Sequence, residues 1–405
     1  DTSNGTFSIR PVINLTQPAV SANITAATNN TPIRWTYTGT TISQVNIDYS
    51  TDGGLNWTNI ENNVTVANGS TYIWPLVPTL TSNNAKVRVY DKANSNVSGL
   101  SPQFNIVGNL KLTSPNGGQN WPVGTSQFIT WTSAAISLVN VSYSLNNGTN
   151  WTNLGLFTAS NGTATWPLAN DTQVSNAARI KIEDNSNPAV VNAISNNTFN
   201  LIAVFDITNP ENGNPVYAEE SYDINWTKKS TGVTYVTLQY STDAGGNWSY
   251  VNPVANYTVP NTGTYVWSPV PAGPLSETCK IRITDPNNLN ATDTGLDSFF
   301  LRGKLQVAQP NGGENWQIYE TRAINWTKKG NLSNVNIKYS ADNGANWTTL
   351  ASNINASALT WNWAINNTTT TSVQGLINIT DTILPAIVFD SSNSTFEVRG
   401  SLNVT

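Results

Sequence analysis

An all-β chain of four tandem sandwiches is what the sequence predicts, and three observations carry that reading. The first is a set of alternating apolar runs: Val45-Ile47-Tyr49, Val139-Val141-Tyr143, Val236-Leu238-Tyr240 and Val335-Ile337-Tyr339. Strict period-two alternation marks a half-buried strand, because successive side chains of a strand face opposite ways. The second is the block that follows each run, Ser50–Thr58 (S-T-D-G-G-L-N-W-T), Ser144–Thr152, Ser241–Ser249 and Ser340–Thr348. Its Asp/Asn-Gly cluster is hairpin-turn chemistry. The third is the spacing of Trp35, Trp131, Trp226 and Trp326, which stand 96, 95 and 100 residues apart.

The remaining elements repeat in the same order. A second tryptophan follows in each copy (Trp74, Trp166, Trp267, Trp363), then a strand closing in aspartate (Val87–Asp91, Ile180–Asp184, Ile281–Asp285, Ile377–Asp381). A Phe-led strand ends each repeat, at Phe104, Phe199, Phe299 and Phe396. No segment sustains apolar spacing at i, i+3, i+4 and i+7, so almost no helix is expected. About seven short strands in ~100 residues describe an immunoglobulin-like β-sandwich, whereas propeller blades repeat at ~40–50 residues. The two tryptophans named for each repeat should lie between its sheets, and Cys279, which stands where other repeats have Ala85, Ala178 and Gly375, should be a small buried residue. The predicted boundaries are an N-terminal strand at 1–10, domains at 11–108, 109–203, 204–303 and 304–400, and a junction strand at 401–405. The passage Phe104–Leu112 runs from one repeat into the next with two or three connecting residues, which favours a stiff rod.

Composition excludes several functions. Only 11% of the 405 residues are charged and the net charge is −5, so with 19 Lys and Arg no basic field exists for nucleic acid or an anionic membrane. The 15 Trp, 14 Tyr and 10 Phe supply too much apolar area for a disordered chain. There is no histidine, which removes the usual triads and imidazole-ligated zinc, and the lone Cys279 cannot form an internal disulfide. Asp91, Asp184, Asp285 and Asp381 recur at strand ends, but no Asp-rich ligand run accompanies them, so calcium is disfavoured and no metal or cofactor is expected. The pair Glu219-Glu220 has no neighbour that suggests a partnered acid and base. The expectation is a non-enzyme. No apolar run approaches the ~20 residues that span a bilayer, and a start at Asp1 suits an exported chain whose signal peptide has been removed.

Glycan attachment is the next strongest signal. Of 60 Asn, 27 stand in Asn-x-Ser/Thr acceptors, against about 13 expected by chance from 89 Ser and Thr. The best candidates are Asn56, Asn150, Asn247 and Asn346, because the acceptor recurs in every hairpin. Asn225 and Asn325 each precede a core tryptophan and should point outward, and Asn4, Asn14, Asn393 and Asn403 lie in the two ends. Those ends are matching copies of the inter-repeat junction: Asn4–Thr16 aligns with Asn393–Thr405. Phe7 and Ile9 then read as a last strand with no domain before it, and Leu402 and Val404 as a first strand with no domain after it. Together with Ile13, Phe396 and Val398 they are candidate polymerisation strands, exchanged head to tail between copies of the chain.

The hairpin resembles the Asp-box motif (Ser-x-Asp-x-Gly-x-x-Trp) of sialidases and other secreted β proteins. Asp52 and Trp57, Asp243 and Trp248, and Asp342 and Trp347 match it, while the second copy has Asn146 before Trp151. The resemblance implies a structural turn in which the carboxylate caps backbone N–H groups and the tryptophan packs into the core, with no catalytic role. The larger unit, with Pro310-Asn311-Gly312-Gly313-Glu314-Asn315-Trp316 and the Ile-x-Trp-Thr strand, resembles the tandem immunoglobulin-like repeats of bacterial and archaeal surface proteins. In architecture and composition it is also similar to glycosylated donor-strand thread filaments. What this implies is an extracellular structural subunit of a pilus-like fibre, partnered by itself. The alternative is a cell-surface adhesin or carbohydrate-binding stalk that does not polymerise, with a surface anchor or a carbohydrate as partner.

Overall fold

Strands and turns fall where the alternating runs and the Asp/Asn-Gly clusters put them. A computed structural model describes residues 4–7, 9–39, 41–67, 69–254 and 257–401. The chain divides into two compact units, Asp1–Leu201 and Ile202–Thr405, each holding two repeats. Among the described residues, helix is confined to short 3-10 turns such as Ala159–Asn161 and Ala356–Ala358.

Every repeat builds one three-stranded and one larger sheet. In the first, Val12–Gln17, Thr31–Thr38 and Thr71–Trp74 form the small sheet. The larger sheet runs Asn23–Thr25, Phe104–Val107, Ser82–Asp91, Gln44–Ser50, Thr58–Thr65, with Ser98–Leu100 added on Ser82–Asp91. The second and fourth repeats reproduce this order, and the third has a seventh strand. Registers repeat as well. Leu15 faces Trp35, Leu112 faces Trp131, Ile207 faces Trp226 and Val307 faces Trp326, with a bulge directly after each pair. The chain is therefore all-β, four tandem immunoglobulin-like sandwiches.

The core sits between the sheets and is aromatic. Trp35, Trp131, Trp226 and Trp326 are buried, as are Trp74, Trp166, Trp267 and Trp363, and the four phenylalanines Phe104, Phe199, Phe299 and Phe396 are sealed from solvent. The tyrosine ending each alternating run packs on the second tryptophan, with ring centroids 5.2, 4.4, 5.0 and 5.0 Å apart in chain order. Truncating one such buried aromatic costs about 3–5 kcal/mol, which makes this ladder the main stabilising feature of each sandwich. Cys279 is buried, and burial pushes its thiol up to about 11, so it behaves as a small apolar side chain.

Within each unit the passage from one sandwich to the next is a single residue, shorter than the two or three the sequence suggests. Gly108 joins Phe104–Val107 to Asn109–Ser114, and Gly303 joins Phe299–Arg302 to Lys304–Gln309. A Cβ on Gly108 would lie 2.4 Å from Ile136, and one on Gly303 would lie 2.8 Å from both Leu332 and the Lys329 carbonyl. Glycine at these points is a requirement of close approach, not of backbone freedom.

Candidate functional site

The recurrent hairpin is a network closed on itself. The Ser50 hydroxyl donates to Asp52 Oδ1 at 2.7 Å and accepts the Gly54 N–H at 2.8 Å. Asp52 Oδ1 also accepts the backbone N–H of Asn56 at 2.9 Å, and its Oδ2 accepts the Asn56 side-chain amide at 2.7 Å. Ser241, Asp243 and Asn247 repeat this arrangement, as do Ser340, Asp342 and Asn346. The donated bonds favour the ionised carboxylate. The Asn56 N–H, then the Ser50 hydroxyl, hold Asp52 at about 2, and the matching groups do the same for Asp243. The Asn346 amide, then its backbone N–H, hold Asp342 at about 2. In the second repeat the Asn146 amide oxygen accepts the Ser144 hydroxyl and the Asn150 N–H, both at 2.9 Å, so a neutral group makes the same turn.

The hairpin tryptophans are not core residues, which corrects the sequence reading. Trp57, Trp151 and Trp248 are half-buried on the outer face, and Trp347 is exposed. Each of the first three lies under a cation from the neighbouring strand: Arg88 at 4.6 Å, Lys181 at 5.2 Å and Arg282 at 4.2 Å from the ring centroid. The reason is parity. Trp57 and its counterparts stand in the turn before the next strand begins, so the period-two alternation of the preceding strand does not fix which way the ring faces.

Asn56, Asn150, Asn247 and Asn346 are exposed, as are Asn4, Asn14 and Asn393. Asn225 and Asn325 are half-buried instead of fully outward, and the Asn325 amide donates to Gln309 at 3.2 Å. Asn403 lies outside the described residues, with Leu402 and Val404.

Among the described residues, the candidate exchange positions do not fit strand exchange. Phe7 and Ile9 are 80% and 74% exposed and belong to no strand. Ile13 is buried in the first sandwich, in the strand paired with Thr31–Thr38. Phe396 and Val398 are buried in the fourth, where Phe396–Arg399 is bonded on one side to Asn315–Gln317 and on the other to Ser372–Asp381. All four sandwiches hold their own Phe-led strand, so none presents the vacant slot that a donated strand would fill.

A feature missed by sequence reasoning is the role of Glu219-Glu220. Glu220 pairs with Lys304 at 2.8 Å and with Lys329 at 2.9 Å, and Glu219 accepts the Gly330 N–H at 2.8 Å. These two residues of the third sandwich thus grip the fourth. The two lysine hydrogen bonds hold the Glu220 carboxyl below its ordinary range. The partners are 84 and 109 residues away in sequence, so no local motif could have announced them.

Comparison with known proteins bears on the fold. No protein-family model matches the chain, and no characterised protein matches it by sequence. Among solved structures, the chain is similar to a tetra-tandem repeat in the extending region of a large adhesion protein, at 14% identity over 95% of this chain and 98% of that one, TM-score 0.30. It is also similar to the N-terminal four Ig domains of Dscam1 isoform 1.9 (8% identity, 96% and 99% covered, TM-score 0.25). Sidekick-1 immunoglobulin domains 1-5 are a third (12% identity, 96% and 81% covered, TM-score 0.25). The resemblance to bacterial and archaeal surface repeats and thread filaments is corrected here: no family model carries it, and what these solved structures share with the chain is the tandem immunoglobulin-like fold alone. The occupied strand positions above displace the homopolymer as partner. Tandem sandwiches of this class are typical of extracellular adhesion and cell-surface proteins. Among the described residues no group of three or more His, Cys, Asp or Glu could hold a metal ion, and no helix is long and apolar enough to cross a membrane. The hairpin carboxylates are spent on turn amides.

Proposed function

We propose that the protein is an extracellular adhesin: four sandwiches at 11–108, 109–203, 204–303 and 304–400 that carry N-glycans and act as a cell-surface adhesive stalk. The observation that carries the reading is the hairpin. In three of its four copies the acceptor amide of the exposed asparagine already donates to the box carboxylate, at 2.6–2.7 Å. An Asn-linked glycan replaces one of the two amide hydrogens, so the other can keep that bond and hold the sugar at a fixed angle. Asn56, Asn150, Asn247 and Asn346 are therefore the foremost attachment points of an exported chain. The remaining candidates are Asn4, Asn14, Asn225, Asn325, Asn393 and Asn403.

The experiment has two parts. Intact-mass measurement of native protein before and after enzymatic deglycosylation should show a loss of mass from several sites; an unmodified 43.7 kDa chain would refute the glycoprotein reading. Beads coated with the native protein should adhere to a cell layer under flow more than albumin-coated beads do, and equal attachment would refute the adhesive role.

A further inference from the structure

The outer face of the third sandwich differs from the other three, and the difference is built by two local changes. In the first, second and fourth repeats the strand after the hairpin is continuous: Thr58–Thr65, Thr152–Thr158 and Thr348–Asn355. In the third it is broken into Ser249–Tyr250 and Thr258–Pro260. On the opposite side, the three-residue strands Ser98–Leu100, Asn192–Ile194 and Phe389–Ser391 are replaced by the seven-residue Asn288–Thr294. A groove of about 590 Å³ lies on this face, lined by Tyr250, Tyr257 and Thr258 from the broken strand and by Leu289, Thr292 and Thr294 from the longer one.

Its lining has the chemistry of a sugar site. Tyr250 and Tyr257 stack with centroids 4.4 Å apart, yet remain 40% and 48% exposed, presenting aromatic surface and hydroxyls together. Tyr257 holds this place at φ +61, a left-handed backbone that a bulky residue rarely adopts. The hydroxyls of Thr284 and Thr292, 2.9 Å apart, lie on the floor.

Among the lining residues, Arg282 is a cation without a counter-ion. The cross-strand position it shares with Gln239 is occupied in the first repeat by Arg88 and Asp48, an ion pair at 2.6 Å. In the second repeat Lys181 pairs with Glu183 at 3.0 Å. In the third, Gln239 Oε1 accepts from Arg282 Nε at 3.1 Å and Nη2 at 2.7 Å, and among the described residues no carboxylate pairs with the guanidinium. Nearby carboxylates are engaged elsewhere: Asp293 on the adjoining strand accepts the Ile207 N–H and Asp285 on Arg282's own strand accepts the Asn287 N–H, both at 2.9 Å. A guanidinium oriented by an uncharged amide and by the Trp248 ring keeps its other N–H groups for a bidentate carboxylate.

We propose that this groove binds an acidic oligosaccharide, with a sugar ring on Tyr250 and Tyr257 and its carboxylate on Arg282. The proposal rests on the adhesive reading and names the ligand class of that activity. The test is isothermal titration of the full glycoprotein with 3′-sialyllactose and trigalacturonate, against lactose and galactotriose as neutral counterparts. At least one acidic probe should bind, and its neutral counterpart should bind about tenfold or more weakly. Arg282→Gln should bring the acidic probe to the level of the neutral one. The Tyr250→Ala/Tyr257→Ala pair should lose both, with melting temperature checked for each variant. Arg282→Lys, which keeps the charge but not the fork, should fall between and guards against a folding defect in Arg282→Gln. Absence of binding by both acidic probes, or binding unchanged in these variants, overturns the assignment. Bead adhesion that persists in that case leaves the adhesive reading standing, so the two failures are distinguishable.

Discussion

Acid should loosen three of the four hairpins and spare the fourth. Asp52, Asp243 and Asp342 are held at about 2, against 3.8 for an unconstrained aspartate. A carboxyl depressed by folding stabilises the folded turn fully above its unfolded value, and that contribution fades as pH falls from about 4 through about 2. At pH 3 such a group is about nine-tenths ionised, whereas an ordinary aspartate is about one-seventh ionised. The backbone N–H groups of Asn56, Asn247 and Asn346 donate directly to these carboxylates. Their amide resonances in a two-dimensional NMR titration should therefore move with a midpoint near pH 2. The N–H of Asn150 donates to the Asn146 amide oxygen, which does not titrate, and its resonance should stay in place. Asp243→Asn should abolish the Asn247 titration while leaving the fold intact, because the second repeat already makes its turn that way. A midpoint near 4 for the three hairpins, or a matching shift at Asn150, would refute the account of the turn.

Three further outcomes follow from the geometry. Trp363→Ala should destabilise the fourth sandwich by about 3–5 kcal/mol in chemical denaturation, whereas Trp347→Ala, on the exposed hairpin of the same sandwich, should cost below about 1 kcal/mol; similar losses would mean the two rings are misassigned. Glu220→Gln should weaken the grip on Lys304 and Lys329 by about 1 kcal/mol at most, since both lysines are well exposed. Faster exchange of the Gly330 N–H at low salt, converging with the native rate at high salt, is the expected readout, and identical rates at low salt would refute the clamp. Asn56→Gln, Asn150→Gln, Asn247→Gln and Asn346→Gln should each remove one glycan's mass from protein made in its native export pathway, and an unchanged mass would exclude that position.

Much of the fold was legible because its determinants are local and periodic. Alternation places Val45, Ile47 and their counterparts inward without knowledge of what they meet, and Asp52, Gly54 and Asn56 interact within four residues of one another. The recurrence of Trp35, Trp74 and Phe104 on alternating strands of every repeat likewise pointed to the core, whereas the equally recurrent hairpin tryptophan, lying outside a strand, did not belong to it. What the chain alone determined, then, is four sandwiches, their turns, their aromatic interiors and a recurrent Asn-x-Ser/Thr motif in the hairpin. Tertiary structure decided the rest, because those features depend on partners brought together from far along the chain. Only the folded sheets show that Trp57 lies under Arg88, that Glu220 meets two lysines of the next sandwich, and that Phe7 and Ile9 find no vacant slot. The groove belongs to the same class. Tyr250, Tyr257 and Arg282 are unremarkable in sequence, and it is the sheet that sets a stacked pair of rings beside an unneutralised guanidinium.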